Sequence, residues 1–397
     1  MSQVPSAPVG ALSRWLDVAA GERRASGAVI ENIQVLRAIA AALVVFVHLE
    51  VFLRAFGLAP FGHGGVDLFF VISGFIMVYT TRRKPVGPAA FLLNRFLRIA
   101  PLYWVLTAAV YAVALVAPSL LGATSKDPVQ LCESFLFIPF RKSNGLIQPV
   151  LFVGWTLNYE MFFYALFAVG LLDPKRERGV LAVIAALVAL VALGRVLSSP
   201  AAVYAFYTDP VVLEFGFGMA LALSVTRLRV NTRAGRLALL ALGALALVTL
   251  VTAWYFLPDV HRVFKYGVPA ALIVAVAVTL HQSGLTLSNR LLLALGNASF
   301  ALYLTHPFVA QAAQKLGTRL GLNPLTGVLG AGATLAVVCL VGLGTHLALE
   351  RPLTSACRRL FVPRAGRVVA AEVPPLTAAP LLEGVTRAVD VRGQDGA

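Results

Sequence analysis

At 397 residues, of which 59% are hydrophobic and only 13% charged, the chain carries too few polar groups to cover a water-facing surface of its size. A soluble domain is excluded, and an all-α polytopic membrane protein is expected. The net charge of +15 is divided among short loops, so nucleic acid is not the expected partner; membrane lipids and a phosphate-bearing ligand are.

In chain order, residues 1–30 contain Arg14, Arg23 and Arg24 but no apolar run ahead of a cleavage site, and are read as a cytoplasmic segment rather than a removable signal peptide. Residues 31–355 form the membrane domain. Apolar stretches at 33–56, 67–81, 97–117, 149–172, 179–197, 210–226, 237–257, 266–282, 293–314 and 325–349 predict about ten transmembrane helices. Arg82, Arg83 and Lys84, then Lys175, Arg176 and Arg178, then Arg227, Arg229, Arg233 and Arg236 fall in alternate loops, which places both termini on the cytoplasmic side. Residues 356–397 read as a disordered cytoplasmic tail. Cys132, Cys339 and Cys357 are far apart without metal-ligand spacing and read as packing residues, and no metal site is expected.

The first span carries Arg37 and His48, eleven residues apart, which is about three helical turns and roughly 16 Å along one face. Either residue alone has an ordinary reading, as a snorkelling cation or a packing histidine. Together they make a polar stripe of the kind that survives in hydrocarbon where it faces a bundle interior. The imidazole could take a proton from an alcohol or be acylated itself, and sequence leaves both open.

Along Gly64 to Phe75, Asp67 opens the second span near its outer boundary, where it could cap the helix, and Ser73 and Gly74 would allow close helix approach. Arg95 and Arg98, three residues apart, share a face at the start of the third span and could clamp a phosphate, or simply flank the membrane. Glu160 lies about 14 Å deep in the fourth span by helix rise, at the expected height of His48, where it could orient that ring or pair with an Arg or Tyr. Glu214 is a further buried carboxylate nearer the outer side, an acceptor-site or structural residue. Tyr303 and His306 sit in the ninth span, and Pro307 frees a backbone carbonyl that His306 could bond. No Walker loop, dinucleotide fingerprint, His-Glu-x-x-His or Gly-x-Ser-x-Gly is present.

From about Ile33 to Pro352 these phrases together resemble the membrane acyltransferase-3 family. The likeness rests on Arg37 with His48, Arg95 with Arg98, Val66 to Phe75, Trp155 to Glu160, Tyr303 to His306, and Glu350-Arg351-Pro352. The wording of Ile99 to Trp104 and Trp155 to Tyr164 is most similar to the rhizobial branch that acetylates exopolysaccharides. The resemblance implies an O-acyltransferase of the bacterial inner membrane with no tightly bound cofactor. Acyl-CoA, acetyl-CoA in particular, would be the donor substrate at the cytoplasmic face, and a hydroxyl of a polysaccharide or lipid-linked glycan the acceptor. It further implies His48, Glu160 and Arg37 in catalysis, Arg95, Arg98 and Arg37 on the CoA phosphates, and His306, Tyr303, Asp67 and Glu214 as secondary residues. A proton-coupled transporter or flippase of glycan intermediates is the rival, but it lacks the expected pair of similar halves.

Overall fold

The computed structural model describes residues 30–361 apart from 56, 59–60 and 122–123. In chain order the helices are α1 (Glu31–Val47), α2 (Glu50–Ala55), α3 (Gly64–Arg83), α4 (Pro88–Val116), α5 (Pro128–Phe135), α6 (Trp155–Gly170), α7 (Arg176–Val196) and α8 (Ala202–Tyr207). There follow α9 (Leu213–Ser224), α10 (Arg233–Phe256), α11 (Val268–Gln282), α12 (Arg290–Asn297), α13 (Ser299–Leu320), α14 (Pro324–Thr345) and α15 (Arg351–Phe361). Among the described residues there is no β-strand, only an isolated backbone bridge between Arg141 and Ile147. The described residues through Ser355 belong to one compact unit, and the expected terminal segments fall largely outside the described residues.

Among the described residues, seven helices are long and apolar enough to cross a membrane. The pair α12 and α13, bent by 79°, makes an eighth if it is one span. This is fewer than the ten stretches read from hydropathy, and the two that fall short are the first and the fourth. The stretch 33–56 is not one helix: α1 stops at Val47 after 17 residues, His48 and Leu49 interrupt it, and α2 resumes at Glu50. The stretch 149–172 yields its beginning to irregular chain and a single 3₁₀ turn, Phe152–Gly154, so α6 has only 16 residues. Hydropathy counts apolar residues and is blind to where the backbone leaves the helix.

Helix α3 is the axis of the bundle. Its apolar window is 83% buried, against 17% for α10, whose Leu and Val side chains are left for lipid. The contact of α3 with α9 is backbone to backbone: a Cβ on Gly74 would stand 2.1 Å from the Phe215 carbonyl oxygen, and one on Gly218 would stand 2.0 Å from that of Val71. This is the close approach expected at Gly74, and Ser73 is left free to point elsewhere. Around the contact, Phe215 stacks on Phe163 at 4.4 Å and meets Phe70 at 4.7 Å, filling the core with aromatic area. Cys132 is exposed, against its reading as a packing residue.

Candidate functional site

Side chains from α1, α3, α4, α6 and α13 converge on one cavity with an empty volume of about 870 Å³, part of it open to the outside. Arg37, Arg95, Arg98, Glu160 and Tyr303 all line it, so five of the residues singled out in sequence meet there. The i, i+3 spacing on α4 does what it promised, since both arginines face the same space. Arg95 lies over the rings of Phe91 and Tyr164 at 5.5 and 5.9 Å, which fixes its guanidinium by cation–π attraction. Arg82, near the end of α3, does not line the cavity and bonds Glu177 at 2.7 Å.

Arg37 owes its position to the bend between α12 and α13. A Cβ on Gly296 would stand 2.1 Å from the Gln34 carbonyl oxygen, so only glycine lets α12 lie against α1 there. The chain then turns and presents Ser299, fully buried, whose Oγ accepts from Arg37 Nη2 at 2.8 Å. Gln34 Oε1 accepts from Nη1 at 3.3 Å. Neither Ser299 nor Gln34 stood out in the sequence, because the 79° bend that delivers the serine leaves no composition signal.

Glu160 does not orient His48. Its Oε1 accepts from Tyr164 Oη at 2.8 Å and from Ser73 Oγ at 3.2 Å. The expected match in height assumed a helix from residue 149. With α6 starting at Trp155, it is Phe152 in the preceding turn that reaches His48, at 5.8 Å between ring centroids. Glu160, eight residues further on, lies roughly two turns away along α6.

His48 and His306 instead face each other, with ring centroids 4.9 Å apart. Neither lines the cavity, but Tyr303 does, and its ring is 5.7 Å from that of His306. Tyr303 is locked in place: its hydroxyl donates to the Val153 carbonyl at 3.0 Å and accepts from Thr156 Oγ1 at 3.0 Å. The arrangement runs from three guanidinium groups, through Glu160 and Tyr303, to two imidazoles.

Asp67 and Glu214 belong to a different place. Asp67 Oδ2 accepts from Arg262 Nη2 at 2.6 Å, both carboxylates are fully buried, and Glu214 lies against Gly267 in the π-turn Val263–Gly267. Asp67 therefore meets a cation from another helix rather than capping its own. This ion pair ties α3 to the residue that opens the π-turn leading into α11. Among the described residues no group of three or more His, Cys, Asp or Glu could hold a metal.

The chain matches the family model described as an acyltransferase domain over residues 30–343. The exopolysaccharide production protein ExoZ of Rhizobium meliloti (strain 1021) is 38% identical over 318 residues, covering 77% of this chain and 94% of that protein. Acyltransferase MdmB of Streptomyces mycarofaciens is 29% identical over 350 residues, covering 80% of this chain and 85% of that protein. No solved structure matches the chain.

Proposed function

Since the chain belongs to the membrane acyltransferase-3 family and is a multi-pass membrane acyltransferase, we propose that it moves an acetyl group from acetyl-CoA at the cytoplasmic face to a hydroxyl of an exported polysaccharide or its lipid-linked precursor. The observation that carries this reading is the convergence of Arg37, Arg95 and Arg98 on one cavity. Three guanidinium groups against the one carboxyl of Glu160 suit an anion, and a planar fork binds phosphate oxygens in pairs. A CoA diphosphate held there would let the pantetheine arm run past Tyr303 toward the histidines. The glycan acceptor is supported by the likeness to ExoZ, an exopolysaccharide production protein. The inner membrane of a bacterium is where such a donor and such an acceptor meet.

In this reading the acceptor oxygen attacks the thioester carbon, His48 acts at the reacting centre, and CoA leaves as the thiol. Membership of an acyltransferase family decides against the transporter alternative. The reading is tested by proton NMR of surface polysaccharide from wild-type and deletion cells. Loss of an O-acetyl signal in the deletion is expected, and identical spectra would contradict it.

A further inference from the structure

The segment between α4 and α6 lies at the far end of α4 from Arg95 and Arg98, because the helix rises roughly 27 Å from Arg98 to Val116. It is built rather than loose. Trp104 Nε1 donates to the Phe135 carbonyl at the end of α5, and the Val150 N–H donates to the fully buried Ser134 Oγ, each at 2.9 Å. Phe137 has a φ of 58°, the left-handed region in which a bulky side chain is strained. Its ring lies on that of Tyr103 at 5.1 Å, which holds it there.

Residues 141–147 of this segment form a small hairpin. Gly145, at φ 83°, closes a turn in which its N–H donates to the Lys142 carbonyl at 2.9 Å. The Lys142 N–H donates to the Leu146 carbonyl at 2.9 Å, and Arg141 pairs with Ile147 in the backbone bridge. Arg141, Ser143, Asn144, Gly145 and Leu146 are all exposed, as a hairpin tip in water should be. Lys142 between them is only 6% exposed.

A lysine that merely snorkels buries its stem and keeps its ammonium in water. Lys142 does not, since burial alone pulls its ammonium down to about 8. Among the described residues no carboxylate or other acceptor meets that ammonium. A cation desolvated without a counter-ion costs folding free energy, and a methionine would fill the same space without that cost. The fold therefore gives a reason against Lys142, and an anionic ligand gives a reason for it. The place suits an acceptor. The chain from Ile147 to Phe152 spans at most roughly 18 Å, and the Phe152 ring meets His48 at 5.8 Å.

We propose that Lys142 binds an anionic group of the acceptor glycan, a carboxylate or phosphate oxygen, and so holds the acceptor on the side of His48 away from the arginines. This rests on the acyl-transfer reading above. The two substrates then enter from opposite ends of α4, the donor phosphates at Arg95 and Arg98 and the acceptor anion at Lys142.

The test is binding without turnover. Full-length protein in lipid nanodiscs is titrated with oligosaccharides cut from the chemically deacetylated polysaccharide, with the same fragments after reduction of their carboxyl groups, and with a polyprenyl diphosphate-linked sugar. Lys142→Met is expected to bind the native fragments or the diphosphate-linked sugar roughly tenfold more weakly than wild type, with the Kd for acetyl-CoA unchanged. A loss confined to the native fragments, and absent after carboxyl reduction, assigns the anion to the polymer; a loss confined to the diphosphate-linked sugar assigns it to the lipid carrier. Lys142→Arg, which keeps the charge, should stay within about threefold of wild type. The thermal midpoint of Lys142→Met should equal or exceed that of wild type, which a structural lysine would not allow. Equal affinity of wild type and Lys142→Met for both ligands overturns the proposal, and so does a fallen midpoint with unaltered affinities. If Lys142→Met loses affinity as expected while wild type transfers no acetyl group, it is the acyl-transfer reading that has failed, not the anion site.

Discussion

Arg98 shows how a single side chain divides charge from geometry. It shares the cavity with Arg37 and Arg95, so any anion bound there meets three forks rather than one. Arg98→Lys keeps the charge and loses paired hydrogen bonding; Arg98→Ala loses both. The expected order of KM for acetyl-CoA is wild type below Lys below Ala, with roughly tenfold or more between the extremes, about 1.4 kcal/mol or above. Equal KM values in all three would remove the phosphate clamp. At this scale the sequence was informative: Arg37, Arg95, Arg98, Glu160 and Tyr303 stand out as polar groups in apolar helices, and they do meet. Who bonds whom was not legible. Glu160 goes to Ser73 and Tyr164, and the partner of His48 is a second histidine more than 250 positions along the chain. Long-range pairing depends on relative helix heights, which a one-dimensional count from assumed boundaries cannot fix.

Breaks between elements matter more here than the elements themselves. The stop after Val47 leaves the Val44 carbonyl 3.0 Å from His48 Nδ1, and the bend between α12 and α13 brings Ser299 to Arg37. The proline signal at Pro307 could be read from sequence, and the freed Tyr303 carbonyl bonds His306 as it implied. The stop at Val47 could not, since neither Pro nor Gly marks it and apolar residues recur on both sides of it. Gly296 is the hinge point at which α12 rests on α1. Gly296→Ala would drive a methyl into the Gln34 carbonyl, and the two helices must part. The expected cost is about 1–3 kcal/mol, with a lower thermal midpoint in detergent. A raised KM for acetyl-CoA should accompany it, because Ser299 moves with α12. An unchanged midpoint and KM would show that Ser299 does not depend on this contact.

For the molecule as a whole, composition alone settles the membrane and the all-helical architecture, because nothing else buries so much apolar area with so few charges. The number of crossings is less legible, and the shortfall is meaningful. The two stretches too short to qualify as spans, α1 and α6, are those that carry Arg37 and Glu160, with His48 and Phe152 at their ends. The two breaks do not line the cavity itself but bring His48 against Phe152 inside the protein, and backbone that leaves the helix is tolerated at membrane depth where protein buries it. The Asp67–Arg262 pair lies apart from this cavity and holds α3 to the π-turn leading into α11, a cross-tie rather than a second reacting centre. One axis through the bundle leads from the arginine-lined cavity, by way of Tyr303, to the rings of His306 and His48. Purified full-length protein in nanodiscs, given acetyl-CoA and the deacetylated polymer, tests it most directly, with CoA thiol release and ester formation followed together. Wild type should release thiol and form ester in equal amounts, and His48→Ala, folded and inserted, should do neither. Undiminished ester formation in His48→Ala would contradict the account.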